Sequence, residues 1–249
     1  WKRKVRITLP AFLCAFVPDA ALASINHYLE EGKPEDLNTY KMEDPVRLKV
    51  IVHVGPKGFQ KVGHICFSYD NIVYSYGNYD SDSFRLNQTI GDGIFFTVPL
   101  EKYIPNMISA ENNSIFEYGI LTTPTQNAFI EKEIEKIRLN GYRWYTKIEK
   151  EDGYDHFSQY EMDYPSRLHY RTGAKLYKVK SGKFHIYWAL GDNCASFTDL
   201  VLGTLGADVL SIRGIISPGT YLDWLQKEYL KKNSPIVSRC IYTKETVEQ

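Results

Sequence analysis

Three β-rich runs early in the chain most constrain its fold. Residues 46–54 alternate and are rich in valine, and two further runs, 62–69 and 72–76, flank the pair Asp70-Asn71. Alternating β-branched and aromatic residues are typical of strands, and two such runs joined by two Asp or Asn residues indicate a β-hairpin. The sequence therefore predicts an antiparallel sheet in which 62–69 and 72–76 are adjacent strands.

The rest of the chain adds helices and strands in no regular alternation. Helical spacing and capping residues predict helices over 20–31, from Thr123-Pro124 to 139 with Phe129 on the packed side, over 194–205 and over 221–230. Further strands are predicted at 91–100, 117–121 and 236–242, and 175–179 is expected to pair with 184–189 across Ser181-Gly182. This order predicts the α+β class, with an antiparallel sheet packed against helices.

The length suits one large domain over 1–249. Within it we expect a helical extension over about 1–44, and an aromatic, aperiodic segment over about 141–172 that resembles a long insertion or a lid loop. Residues 1–23 carry the basic, apolar and small-residue parts of a secretory signal, but Pro10 and Pro18 interrupt them, so we interpret this stretch as part of the domain.

Charge and cysteine usage exclude several classes of function. Thirty Lys and Arg balance thirty Asp and Glu without charged blocks, which argues against nucleic acid as a partner. No apolar run is long enough to predict a membrane span. The four cysteines are far apart and lack the spacing of zinc ligands, so we expect no zinc site.

Cys194 lies in the sequence Gly191-Asp192-Asn193-Cys194, at the predicted start of a helix. Backbone N–H groups and the positive end of the helix dipole favour a thiolate there, and the same groups can bind an oxyanion. Asp192 opposes this unless its carboxylate caps the helix or points away. A lone cysteine of this kind is also compatible with an inert core residue.

His64 lies in the first strand of the predicted hairpin, where it can serve as the base for a thiol. With Asp70-Asn71 as the turn, His64 pairs with Gly77, which would leave room around the imidazole, and Ser75 is the nearest polar side chain to orient it. A hydrogen-bonded core histidine is the alternative. His53, in the preceding strand, is predicted to be structural.

Together these stretches resemble the circularly permuted NlpC-type papain-like cysteine hydrolases. The resemblance rests on Val62-Gly63-His64, the return strand Val73-Tyr74-Ser75-Tyr76-Gly77 and the much later Asn193-Cys194 that opens a helix. It covers about 46–100 and 175–225, and it implies a papain-like fold in which the His strand precedes the Cys helix. The departure is Ser75, where the family has a stronger orienting group; Asn78, Asp80 and Asp82 are the alternatives.

The resemblance implies that Cys194 is the nucleophile, His64 the base and Ser75 the third catalytic residue of a thiol protease-like hydrolase. Tyr76, Asn193, His156 and His169 are the expected substrate-binding residues. It further implies amide cleavage in the peptidoglycan stem peptide by a secreted bacterial effector or toxin acting in the periplasm or a target cell. It implies no metal and no organic cofactor, and an immunity protein would then be a further partner. The alternatives are an acyltransferase or deamidase acting on a protein or lipid, and a catalytically silent binding module.

Overall fold

A computed structural model of the chain describes residues 46–54, 63–203, 206–210 and 217–242. The helix expected over 20–31 and the signal-like stretch over 1–23 lie outside the described residues. The described chain forms an α+β fold in which a large antiparallel sheet is packed against helices.

The main sheet has eight strands in the order β10-β6-β1-β2-β3-β5-β8-β7, and every neighbouring pair is antiparallel. Its strands are β1 (Leu48–Val54), β2 (His64–Tyr69), β3 (Ile72–Gly77), β5 (Ile94–Pro99), β6 (Ser114–Ile120), β7 (Gly141–Trp144), β8 (Lys175–Val179) and β10 (Ile236–Tyr242). The hairpin β2–β3 is confirmed, with Tyr69 opposite Ile72. Asp70 and Asn71 both have positive φ, 48° and 61°, as a tight two-residue hairpin turn requires.

A small second sheet pairs β4 (Ile90–Asp92) with β9 (Ile186–Trp188). The prediction of one strand over 91–100 is therefore wrong, because the run divides at Gly93. A Cβ there would lie 1.8 Å from the Phe184 carbonyl oxygen, so only glycine allows the two backbone segments to approach. The predicted pairing across Ser181-Gly182 is also wrong: 175–179 pairs with β5 and β7 instead, and 186–188 with β4.

In the described part of the chain, six α-helices accompany the sheets: α1 (Leu100–Pro105), α2 (Pro124–Leu139), α3 (Lys147–Lys150), α4 (Tyr164–Thr172), α5 (Cys194–Leu202) and α6 (Pro218–Tyr229). The helix predicted from Thr123-Pro124 is confirmed, with a capping box between Thr123 and Gln126. Its packed side consists of Ile130, Ile134 and Ile137, whereas Phe129 is 47% exposed, so the placement of Phe129 was wrong.

Both faces of the main sheet are covered. One face packs against α2, α5 and α6 in a core that contains Ile65, Phe67 and Phe197. The opposite face packs against α1, the π-helical turn Asn106–Ala110 and α4, in a core that contains Cys66, Val73 and Phe96. Because strand residues alternate between faces, consecutive residues of β2 belong to different cores.

The aromatic segment 141–172 contains regular elements that its aperiodic sequence does not predict. It begins with the edge strand β7 and continues through α3, the 3-10 turns Gly153–Tyr160 and α4. Within the described residues, no helix is both long enough and apolar enough to cross a bilayer.

Candidate active site

Cys194 is the first residue of α5, and Asn193 caps that helix. The Asn193 side-chain oxygen accepts hydrogen bonds from the backbone N–H groups of Ala195 and Ser196, at 2.9 and 3.0 Å. The Ser196 hydroxyl in turn accepts the Asn193 N–H at 2.9 Å. This reciprocal capping fixes the first turn of the helix, and with it the position of the cysteine.

Backbone N–H groups surround the Cys194 sulfur. Those of Ile65, Ala195 and Cys194 itself hydrogen-bond to it and favour the thiolate. Burial opposes them and is the larger effect, because only 5% of the residue is exposed. The pKa of the Cys194 thiol is therefore raised to about 11.

His64 opens β2, and its Nε2 lies 2.7 Å from the hydroxyl oxygen of Ser75 on the adjacent strand β3. Ser75 is fully buried and is therefore held in place by the sheet. Burial disfavours the charged imidazolium and lowers the pKa of His64 to about 4. His64 is thus a neutral imidazole over the physiological pH range.

The thiol and the imidazole flank the same peptide unit. The Cys194 sulfur accepts the N–H of Ile65, and the His64 side chain branches from the residue on the other side of that peptide bond. Helix α5 packs on the sheet face of Ile65, whereas His64 belongs to the face of Cys66 and Ser75. Cys194 and His64 therefore lie on opposite faces of the sheet, at the end where β2 begins.

Tyr79, just beyond β3, is a site residue that the sequence reasoning missed. Its hydroxyl oxygen lies 3.3 Å from that of Ser75. A Cβ at Gly77 would lie 2.8 Å from the phenol carbon that bears this hydroxyl. The space that Gly77 leaves open is thus occupied by Tyr79, and the expectation that it gives room to the imidazole is corrected. With nineteen tyrosines in the chain, no local pattern distinguishes this one.

A cavity of about 540 Å³ opens at this end of the sheet, and Cys194 lies in its wall. We call it the thiol cleft. Its described lining is mainly aromatic, aliphatic and amide side chains, with Asp163 as the one charged residue among them: Gly63, Asn78, Tyr79, Ser81, Phe84, Asn87, Gln88, Thr89, Met162, Asp163, Tyr164, Pro165, Tyr187, Ala189, Asn193, Cys194 and Pro218. Lys147 contacts Ser81 and Asp163 from behind this wall, at 3.3 and 3.9 Å.

Two of the expected substrate-binding residues have structural roles next to the cleft. Tyr76 is fully buried, and its hydroxyl donates to the Phe184 carbonyl at 2.9 Å, so it belongs to the core. Asn193 does line the thiol cleft, but its amide group donates to the Ala189 carbonyl while its oxygen caps α5.

The expected substrate-binding histidines of the aromatic segment lie elsewhere. His169 Nδ1 donates to the Ala174 carbonyl at 2.8 Å, and its Nε2 accepts the Tyr154 hydroxyl at 3.0 Å, so it holds the end of α4. His156 is an exposed residue of the 3-10 turns. Neither is among the described residues that line the thiol cleft, to which this segment contributes Met162, Asp163, Tyr164 and Pro165 instead.

Of the alternatives to Ser75 as the third residue, Asp82 is exposed, and Asn78 and Asp80 are engaged away from His64. Asn78 donates to the Gln88 carbonyl at 2.6 Å, and Asp80 caps the turn at Asp82 and lies 3.4 Å from the Lys178 ammonium. Asp192 accepts the N–H of Phe184 at 3.4 Å and does not cap α5, which Asn193 does.

A second, deeper group of polar side chains backs the imidazole. The His53 and His64 rings lie 5.4 Å apart, and His53 Nε2 lies 3.2 Å from the Tyr103 hydroxyl and 3.8 Å from the Cys66 sulfur. Burial lowers the pKa of His53 well below its ordinary value and raises that of the Cys66 thiol. Cys66, fully buried, is a core residue of the face opposite α5.

Among the described residues, no group of three or more His, Cys, Asp or Glu side chains is placed to hold a metal ion. Cys66, Cys194 and Cys240 are free thiols. Comparisons of the chain with protein-family models, with curated proteins and with solved structures find no match.

Proposed function

We propose that this protein is a cysteine hydrolase of papain-like type that cleaves an amide bond through a thioester, with Cys194 as nucleophile and His64 as base. One observation carries the proposal: the sulfur of a helix-opening cysteine, in the wall of a cleft, accepts the N–H of the residue that follows the histidine. The order of the His strand before the Cys helix supports the permuted arrangement that the sequence resemblance implies.

The base in this mechanism is Nδ1 of His64. Nε2 is occupied by Ser75, so an imidazole that donates Nε2–H to that hydroxyl carries its lone pair on Nδ1. Nδ1 takes the thiol proton while the sulfur attacks the carbonyl carbon. The oxyanion is stabilised by backbone N–H groups at the start of α5, and the imidazolium then protonates the leaving amine. A water activated by the same nitrogen hydrolyses the thioester and regenerates the thiol.

The resting pair is uncharged. With the thiol pKa near 11 and the imidazole pKa near 4, an ion pair between them is unfavourable before substrate binds. Proton transfer therefore accompanies the attack on the carbonyl, as in serine hydrolases, where a neutral histidine removes the proton of a neutral hydroxyl.

The substrate to test first is the peptide stem of peptidoglycan, which the sequence resemblance implies. Purified stem-peptide fragments are incubated with wild-type protein, C194A and H64A, and the products are analysed by mass spectrometry. Wild-type protein should release fragments cut at one amide bond, and both variants should lose this activity. Melting temperatures should stay within a few degrees of wild type, because each change removes few packed atoms.

Cys240→Ala is the matched control, since it removes a buried thiol from β10. Full activity in either site variant would contradict the assigned roles. A protein that forms a thioester with a fragment but releases it only to an added amine would instead be a transferase.

A second candidate, a catalytically silent binding module, is favoured by the burial of Cys194 and its raised pKa. The two candidates differ in what His64 does to the thiol. If H64A leaves the alkylation rate of Cys194 at neutral pH unchanged, the imidazole does not assist the sulfur and the binding module is the better account.

A further inference from the structure

Three side chains form a hydrogen-bonded chain from the imidazole into the thiol cleft. His64 Nε2 lies 2.7 Å from the Ser75 hydroxyl oxygen, which lies 3.3 Å from the hydroxyl oxygen of Tyr79. Tyr79 lines the cleft, whereas Ser75 is fully buried. A buried hydroxyl needs a partner for its proton, so Ser75 donates to either His64 or Tyr79.

The direction of that bond decides which nitrogen of His64 can act. A serine hydroxyl has one proton to donate. If Ser75 donates to Nε2, the imidazole proton is on Nδ1, and neither ring nitrogen has a free lone pair to take a proton. If Ser75 donates to Tyr79, its oxygen can only accept from His64. The imidazole then carries Nε2–H, and Nδ1 is free to take a proton.

We infer that Tyr79 is a positioning residue. Its hydroxyl oxygen accepts a hydrogen bond from the Ser75 hydroxyl and thereby holds His64 in its Nε2–H tautomer. This inference rests on the proposed function, in which Nδ1 is the base. It also explains how a serine, a weak orienting group by itself, can occupy the third position: the phenol sets the direction of its hydrogen bond.

The surroundings of Tyr79 fix its ring in the required place. The absence of a side chain at Gly77 leaves room for the phenol, and the ring lies 5.5 Å from that of Phe96 and 5.7 Å from that of Tyr164. Burial raises the pKa of Tyr79 well above its ordinary value, so it stays a neutral phenol. Its own proton is then available to water or substrate in the cleft.

The experiment compares Y79F with Y187F, since both remove one hydroxyl from the cleft lining and keep the ring. The first measurement is the tautomer of His64 from the ¹⁵N shifts of histidine-labelled protein, assigned with H64Q. Wild type and Y187F should show protonated Nε2 and unprotonated Nδ1. Y79F should show a mixture of tautomers or the Nδ1–H form, because the freed serine proton can now go to Nε2.

The second measurement is the rate at which iodoacetamide alkylates Cys194 at pH 7. Y79F should slow it about tenfold in the wild-type background, and by less than about twofold once S75A has removed the link to His64. Y187F should leave the rate within about twofold of wild type. A purely structural role for Tyr79 predicts equal losses with and without Ser75.

Two results would overturn the inference: an unchanged Nε2–H tautomer in Y79F, or an Nδ1–H tautomer in wild type. Neither result depends on whether the protein hydrolyses amides. Conversely, if wild type and H64A are alkylated equally fast, the proposed function fails while the tautomer measurement still decides the role of Tyr79.

Discussion

At the scale of single residues, burial controls the chemistry of the site. The same loss of solvation raises the pKa of the Cys194 thiol to about 11 and lowers that of His64 to about 4. Both shifts favour the uncharged forms, so the helix start and its N–H groups only partly restore thiolate character. In the proposed mechanism, reactivity of Cys194 at neutral pH therefore depends on proton removal by His64 and not on a standing thiolate.

This gives a specific pH dependence for the alkylation of Cys194. The rate should rise as pH increases through about 4, where His64 becomes a free base, and stay level until it rises again toward pH 11. Alkylation reactions are quenched at several times at each pH, and mass spectrometry of these samples gives the rate as a function of pH. In H64A the level region should disappear, leaving one rise toward the thiol pKa. A single rise centred near pH 8.5 in wild type, the value of an ordinary cysteine, would contradict the burial argument.

The sequence indicates Cys194 and His64 as candidate site residues, but it does not indicate the residues that position them. Cys194 and His64 stand out because each has an informative neighbourhood, a capped helix start and a hairpin strand. Tyr79 lacks such a signal, since its contact with Ser75 arises from how the chain leaves β3 and passes over Gly77. The roles of Tyr76 and Asn193 in packing and capping depend likewise on tertiary contacts.

At the scale of elements, the cap of α5 links local sequence to the site. Asn193 satisfies two N–H groups of the first turn, one of which, that of Ala195, also contacts the Cys194 sulfur. The cap therefore contributes both to stability and to the direction in which these N–H groups point.

Asn193→Ala should lower the free energy of unfolding by about 1 kcal/mol, because two buried donors lose their partner. It should also slow alkylation of Cys194 as the first turn loosens. Asn193→Ser restores a capping oxygen and should recover most of the stability, which urea titration measures. Equal stability of the alanine and serine variants would show that the cap is not needed.

Helices and strands with strong local sequence signals were predicted well. Features that depend on contacts between distant parts of the chain were not. The helix from Thr123-Pro124, the hairpin at Asp70-Asn71 and the strand near 236–242 carry caps, turn residues or alternation and are confirmed. The run 91–100 divides into two strands at Gly93, where the backbone of Phe184 approaches, and 175–179 pairs with β5 instead of with 184–189. Both features depend on contacts between residues that are distant in sequence. No local sequence pattern predicts such contacts.

At the scale of the whole molecule, Gly93 joins the two sheets. Gly93→Ala would place a Cβ against the backbone oxygen of Phe184 and the Tyr76 hydroxyl, neither of which can move without disturbing the core. We expect a loss of about 3 kcal/mol in the free energy of unfolding. Gly219→Ala, in α6 with nothing within 4 Å, should instead be neutral or stabilising by about 0.5 kcal/mol. Similar urea midpoints for the two variants would contradict the close approach of Gly93 to the Phe184 backbone.

His53, which is buried, and the partly buried His64 make the fold sensitive to acid. His53 and His64 are both neutral in the folded state at a pH where the unfolded chain, with pKa values near 6.5, binds protons. Stability is therefore lost as pH falls from about 6.5 toward 4, by about 2 kcal/mol for His64. Urea titrations at pH 7 and 4.5 should show a smaller loss for H64Q than for wild type. An equal loss in both would show that His64 does not couple folding to protons.

The order of the two strands and the helix along the chain has a consequence for biosynthesis. The imidazole and its serine leave the ribosome well before the cysteine, whose sulfur accepts the N–H of Ile65 in β2. A nascent polypeptide that has not reached α5 would thus hold the proposed base without the proposed nucleophile. In the proposed mechanism, amide cleavage would begin only after translation has passed α5.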